Sequence, residues 1–232
     1  MSYLFDGAND SLAGTFSSTY ADPVTLACWL KVTAHPVAND AMLMFGNSSS
    51  VIDHSYVLKT STSDDVWQAV ARDTTNSGAV SPVTNVDGIW AAMVGVFTNN
   101  DLRDVYILHP GLTARDTVNK APNDVLQFIR VGEDLSGLQD YADRLAEISI
   151  WNAALTTKDI TRYMVGVSAA IIAPANLIGY WPLNANNATQ QNLGIDAGGD
   201  LTVTGAVFDA DHPLIYGYDT INIPGRRVSI MP

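Results

Sequence analysis

The stretch Glu147-Ile148-Ser149-Ile150-Trp151-Asn152 is where carboxylate chemistry would be sought first in this chain. Residues two apart on a strand share a face, so Glu147 and Ser149 would stand side by side. Two carboxyl groups held close together, one as acid and one as nucleophile, cleave glycosidic bonds with retention. Here the residue beside Glu147 on that face is Ser149, so no second carboxylate stands next to it on the strand. Glu147 is expected to be solvated or locally bonded, and the chain is expected not to be an enzyme. His35, His54, His109 and His212 are scattered, with no metal-ligand spacing on a helix and no Gly-rich phosphate loop opening one.

Two further chemistries are open to these residues. Calcium needs several hard oxygens converging on one point. The oxygen-rich stretches are Asp6–Asp10, Asn99–Asp104, Glu133-Asp134 and Asp196–Asp200, none with the spacing of a continuous calcium loop. Such residues are equally what turns use, so no metal ligand is assigned and no cofactor is expected, with calcium kept as an option. Tryptophans can stack on sugar rings. Trp29, Trp90, Trp151 and Trp181 sit among apolar residues and read as core; Trp67, near Asp64-Asp65, is the best exposed candidate, though packing is expected for it too. Cys28, the single cysteine, lies in an apolar strand pattern and reads as a small buried hydrophobe.

The elements that would carry these residues are strands. Leu26, Cys28, Leu30 and Val32 alternate with Thr25, Ala27, Trp29 and Lys31, predicting a strand over Val24–Thr33 with two distinct faces. Further strands are predicted over Tyr3–Gly7, Met42–Gly46, Ser55–Thr60, Val66–Asp73, Ile89–Thr98, Asp104–His109, Val125–Gly132, Leu145–Trp151, Leu177–Leu183 and Asp200–Phe208. Turn signals separate them: Ser48–Ser50, Asp87-Gly88, Asn99-Asn100-Asp101 and Pro110-Gly111. One helix is predicted after Trp151, opened by Thr156 three residues before Asp159 and stopped by Gly166. The loop Asn184–Gly199 reads as polar and flexible. Short strands at this spacing argue a sandwich, with residues 1–213 as one domain and residues 214–232 as a C-terminal arm.

Composition narrows the partners. A net charge of -12 over 232 residues argues against nucleic acid, which is held by clustered Lys and Arg. No apolar run reaches membrane-spanning length. Met1–Asp6 has neither a charged start nor a long apolar run, so no signal peptide is expected and synthesis is expected in a cytoplasm.

Several segments in order resemble laminin-G-like domains of the concanavalin A-like superfamily. They are Phe5-Asp6-Gly7 with Asp10, Val24–Lys31 with Trp29, Asp87-Gly88-Ile89-Trp90 with Val94–Phe97 and Val105–Ile107, Glu147–Ile160, and Ile178–Leu183. The resemblance implies an all-β jelly-roll sandwich with one short helix and a C-terminal extension. Glycosidases of that superfamily carry Glu-x-Asp-x-x-Glu on this strand; Glu147 matches the first position, while Ser149 stands where the Asp and Asn152 where the second Glu would be, so the resemblance implies no glycosidase activity.

Two functions are weighed. The first is a bacteriophage virion structural protein, a capsid decoration (cement) protein on the capsid surface, homo-oligomeric, with other virion proteins as partners. Its contacts would come from the sandwich and from the arm, where Ile221, Ile223, Arg226 and Arg227 are the candidate interaction residues: the run Thr220–Ile223 alternates and could add a strand to a neighbour's sheet edge. The second is a carbohydrate-binding, lectin-like module, possibly calcium-assisted. It would be marked by aromatic and carboxylate side chains clustered on an exposed part of the sandwich.

Overall fold

A computed structural model describes residues 1–33, 40–47, 54–61, 66–73, 75–81, 86–107, 114–120, 125–134 and 139–217, and the backbone of 222–223 and 226–227. The strands in chain order are β1 (Ser2–Asp6), β2 (Ser11–Tyr20), β3 (Val24–Lys31), β4 (Ala41–Gly46), β5 (Ser55–Thr60), β6 (Trp67–Arg72), β7 (Asn76–Val80), β8 (Ala91–Asn99), β9 (Leu102–Ile107) and β10 (Ala114–Asp116). They continue as β11 (Leu126–Val131), β12 (Ala142–Trp151), β13 (Leu177–Trp181), β14 (Thr189–Gln190), β15 (Leu201–Thr204), β16 (Val207–Asp209), β17 (Asn222–Ile223) and β18 (Arg226–Arg227). Between β12 and β13 lie helix α1 (Thr157–Met164) and two 3-10 turns, Ala169–Ile171 and Pro174–Asn176.

Two antiparallel sheets face each other. The first runs β10-β9-β8-β3-β12-β1-β16, with β13 also on β12; the second runs β14-β15-β2-β11-β4-β5-β6-β7. The alternation in β3 does what its pattern predicts. Leu26, Cys28 and Leu30 join Tyr56, Leu58, Phe97 and Trp181 between the sheets. Ala27 and Trp29 face the opposite way, against α1. Tyr56 on β5 stacks on Phe97 of β8 at 4.1 Å, an aromatic contact that couples the two layers. Cys28 is fully buried, which pushes its thiol up to about 12. Trp67 is 1% exposed, so it packs rather than stacks on a sugar, as expected. It stands at the start of β6 with its indole in the inter-sheet core, where a large apolar ring gains most from leaving water.

The helix forms as its signals predict. The Thr156 side chain accepts from the Asp159 N–H, and Gly166 follows at φ +91°, the left-handed conformation that favours glycine. Ile160, Tyr163 and Met164 share the buried face and meet Trp29 and Trp151. β12 carries a β-bulge between Ala146 and Ser149, with Glu147 at φ +55°. The bulge explains why the inward residues Leu145 and Ile148 are three apart while Ile148 and Ile150 are two apart.

Other expectations need correction. Asp200–Phe208 is two strands, β15 and β16, broken at Gly205 (φ +74°). β2, β7, β10 and β14 were not expected. β2 is Ser- and Thr-rich with few apolar residues, and β7 reads Asn-Ser-Gly-Ala-Val, so neither shows a clean period of two. The loop Asn184–Gly199 is bonded rather than flexible. Buried Asn192 donates from Nδ2 to the Ile178, Asp196 and Gly198 carbonyls, while its Oδ1 accepts from Tyr180 and Gly194 N–H. One polar side chain thus satisfies backbone groups that would otherwise be buried unpaired. His35, His109, Ser48–Ser50, Asp64-Asp65 and Pro110-Gly111 lie outside the described residues.

Past residue 213 the chain stays on the sandwich for a few residues. The Tyr216 N–H donates to the Gly166 carbonyl at 2.6 Å, and the Ser168 N–H donates to the Tyr216 carbonyl at 2.9 Å.

Candidate functional site

On the outer face of the first sheet, next to the helix-covered part, paired positions on four strands form a row: Val207 on β16, Leu4 on β1, Arg144 on β12 and Lys31 on β3. Trp90, just before β8, lies beyond Lys31. Its indole is half-buried against the cluster that α1 covers. Asp211, two residues past β16, ties the row together. It accepts from the Trp90 Nε1–H at 3.0 Å and from the Lys31 ammonium at 2.6 Å. Arg144 Nη2 donates to Asp209 at 3.1 Å, and Nη1 donates to Asp143 at 3.1 Å. Ser2 Oγ donates to the Asp211 carbonyl at 2.7 Å, holding the stretch after β16 against β1.

The electrostatics set what this group can do. Lys31 and the Trp90 N–H hold the Asp211 carboxyl below the usual carboxylate range. The Asp211 backbone N–H, then Arg144, does the same for Asp209. Burial opposes the charge of Arg144, but Asp209 and Asp143 outweigh it and raise its guanidinium further. These neighbours favour the charged forms of Asp209, Asp211 and Arg144. What remains is a partly exposed set of hydrogen-bond donors and acceptors beside an aromatic face. That is the apparatus for holding a polyhydroxylated ring, with hydroxyls on the charged groups and C–H faces on the indole.

Glu147 is not solvated. It is 3% exposed, its Oε2 accepts from Tyr180 OH at 2.7 Å, and its carbonyl accepts from Tyr163 OH at 2.7 Å. Tyr180 OH also lies 3.2 Å from Ser168 Oγ. The residue fastens β13, α1 and the following 3-10 turn to the bulge, a positioning task within the fold.

The oxygen-rich stretches are likewise engaged by the protein. Asp10 and Asp6 accept backbone N–H groups of their own turn. Asn99 accepts from the Asp101 N–H, and Asp104 takes a bidentate pair from Arg115. Asp134 is paired with Arg72, and Glu133 with Arg130. Asp196 accepts from Ser17 N–H, Ser17 OH, Ser18 N–H, Tyr20 OH and Gly198 N–H. Burial alone would raise Asp196, yet these donors, Tyr20 first, hold it far below the ordinary value. Among the described residues no group of three or more His, Cys, Asp or Glu side chains converges as a metal site.

Of the interaction residues expected in the arm, Ile223 and Arg226 form a backbone pair, as do Asn222 and Arg227. These two short strands make a sheet of their own, joined to neither large sheet. Ile221 lies outside the described residues. The Trp90 group escaped the sequence reading, because Trp90 looks like the first core residue of β8. The available signals were the Asp209-Ala210-Asp211 pair at the end of β16 and two cations, Lys31 and Arg144, within strands.

No family model matches the sequence, and no curated protein matches it significantly. Solved structures do. A candidate carbohydrate-binding protein from Bacteroides ovatus superposes with a TM-score of 0.66 at 13% identity over 95% of this chain; this chain spans 61% of that one. A heptameric SAP-like pentraxin from Limulus polyphemus gives 0.55 at 13% identity, covering 70% of this chain and 81% of that one. Domains LG4-5 of the mouse laminin alpha1 chain give 0.52 at 13% identity, covering 68% and 43%. The fold is therefore the laminin-G-like, concanavalin A-like jelly roll.

Proposed function

We propose that this protein is a non-enzymatic carbohydrate-binding module that holds a neutral oligosaccharide at Trp90, Asp211, Lys31, Arg144 and Asp209. One observation carries the reading: a partly exposed indole is fixed by its N–H to Asp211 beside a row of charged donors and acceptors. The fold, shared with candidate and established sugar-binding domains, supports it. The charge balance argues for a neutral ligand. Lys31 and Arg144 are already matched by Asp143, Asp209 and Asp211, and the whole chain carries -12, so an anionic sugar would meet net repulsion.

The test is a glycan array followed by calorimetry with the neutral oligosaccharides that bind. Trp90→Ala and Asp211→Asn should each weaken binding at least tenfold while the thermal transition is kept. Absence of binding to any neutral glycan, or binding that both substitutions leave unchanged, would sink the proposal.

A second reading is a virion decoration protein on a capsid surface, associating with itself and with other virion proteins. What favours it is the set of exposed apolar side chains where the arm leaves the sandwich, Val165, Ile171, Leu214 and Tyr216. Purified particles probed with antibody to this chain would be labelled over their shells on this reading and unlabelled otherwise. The two readings are compatible, since a shell protein can carry a sugar site outward.

A further inference from the structure

The row that holds the sugar site is longer than its charged centre. Lys31 on β3, Arg144 on β12, Leu4 on β1 and Val207 on β16 are opposed in consecutive pairs, so they share one face and lie in line across the strands. Trp90 continues the line, because it precedes the Ala91–Leu30 pair of β8 and β3 by one residue and so stands beside Lys31. At the other end Val207 is 62% exposed on β16, the last strand of its sheet, with Leu4 partly exposed next to it. An indole at one end and two aliphatic side chains at the other therefore flank a charged middle.

The chain after β16 runs beside this row as a rail. Asp209 reaches Arg144, Asp211 reaches Lys31 and Trp90, and Ile215 packs on the cluster that α1 covers. These contacts cross the strands in the same order as the row itself. On the opposite side, the next outward positions on β1 and β12 are Asp6 and Ala142, a pair that is exposed. The surface is a shelf with one raised side. A site for a single terminal ring buries most of its ligand, which a shelf does not do.

Spacing selects what can lie there. Neighbouring strands are about 4.8 Å apart, so the steps from Trp90 to Val207 span about 19 Å. A pyranose ring linked at opposite ends advances a glycan by close to one strand spacing. Such a chain sets a C–H face on Trp90, hydroxyls on Lys31, Arg144 and their aspartates, and C–H faces again on Leu4 and Val207. Rings joined through equatorial bonds form a straight ribbon that can follow a line of opposed residues. An axial bond coils the chain away from it.

We infer, resting on the carbohydrate-binding reading above, that the site takes an unbranched, extended neutral glycan, about four rings long, laid across the strands from Trp90 to Val207. Length and shape, and not the identity of one terminal sugar, are what this surface reads.

The test is calorimetry on the full chain with cello-, xylo- and manno-oligosaccharides of increasing length, and with malto-oligosaccharides as the coiled counterpart. Affinity for at least one extended series should rise about tenfold from two rings to four and stay level beyond. The malto series should bind more weakly at every length. Val207→Asp places a carboxylate at the far end of the row and should return the four-ring affinity to that for two rings, with the thermal transition kept. Trp90→Ala should weaken every length. Binding that ignores length, a four-ring affinity indifferent to Val207→Asp, or malto-oligosaccharides held as tightly as extended ones would each overturn the inference while leaving a sugar site at Trp90. So would binding confined to branched, coiled or single-ring glycans. No binding to any neutral glycan would remove the carbohydrate reading itself, and this inference with it.

Discussion

Single carboxylates in this protein act in opposite directions, and pH separates them. Asp196 is depressed, so its stabilisation is complete above the ordinary aspartate range and is lost as pH falls below about 4. Asp196→Asn should cost about 1–3 kcal/mol at neutral pH, the scale of charge-assisted bonds lost from a buried acceptor, and should flatten the acid limb of denaturant midpoints. Asp40 is the reverse. Burial first, and then the charge of Asp140, push it up to about 6. Between about pH 4 and 6 the folded form keeps a proton that the unfolded chain gives up, so this residue makes stability fall as pH rises through that window. Asp40→Asn should therefore raise the melting temperature at pH 7 and leave it nearly unchanged at pH 3.5. At the sugar site, Trp90→Ala should lose about 1.4 kcal/mol of binding, the tenfold change expected above. Trp67→Ala should leave affinity alone and instead destabilise the fold by about 3–5 kcal/mol, since its ring is core.

At the scale of elements, α1 is held from both ends and beneath. Thr156→Ala removes the cap and should cost about 1 kcal/mol. Gly166→Ala is harsher, because it combines a left-handed backbone with a Cβ driven 2.4 Å from the Leu214 carbonyl. Its expected signature is faster hydrogen exchange at Ser168 and Tyr216, whose amides lock the start of the arm to the turn after α1. Strands with a clear period of two, β3 above all, were legible from the sequence with their faces assigned. So was the helix, since its cap and its stop are local chemistry. β2 and β7 were not, because Ser, Thr, Gly and Asn hold a strand only when neighbours supply the ladder. The bulge at Glu147 was also hidden: an extra residue in one strand is visible only against its partner.

At the scale of the whole molecule, one core runs between the two sheets from Tyr3 to Ala206, and a second lies beneath α1. A chain sharing one inter-sheet core should unfold in a single transition, with the calorimetric enthalpy equal to the van't Hoff value. A separate early transition would mean that the helix-covered layer melts alone. With -12 net charges the molecule should ignore polyanions such as heparin at physiological salt, and column retention on an immobilised polyanion checks this directly.

The amino-acid sequence by itself determined the class of this protein. Alternating apolar residues and the turn residues between them are local facts, and they suffice for an all-β sandwich. Only the tertiary structure decided which side chains act together. Lys31, Trp90, Arg144, Asp209 and Asp211 come from distant parts of the chain and become neighbours through strand register and the path taken after β16. Burial, too, is a property of the packed whole. Glu147, which its sequence leaves open between solvation and local bonding, is claimed by β13 and α1, contributed from elsewhere in the chain. Sequence spacing carries periodicity, whereas proximity between strands arises only when the sheets close.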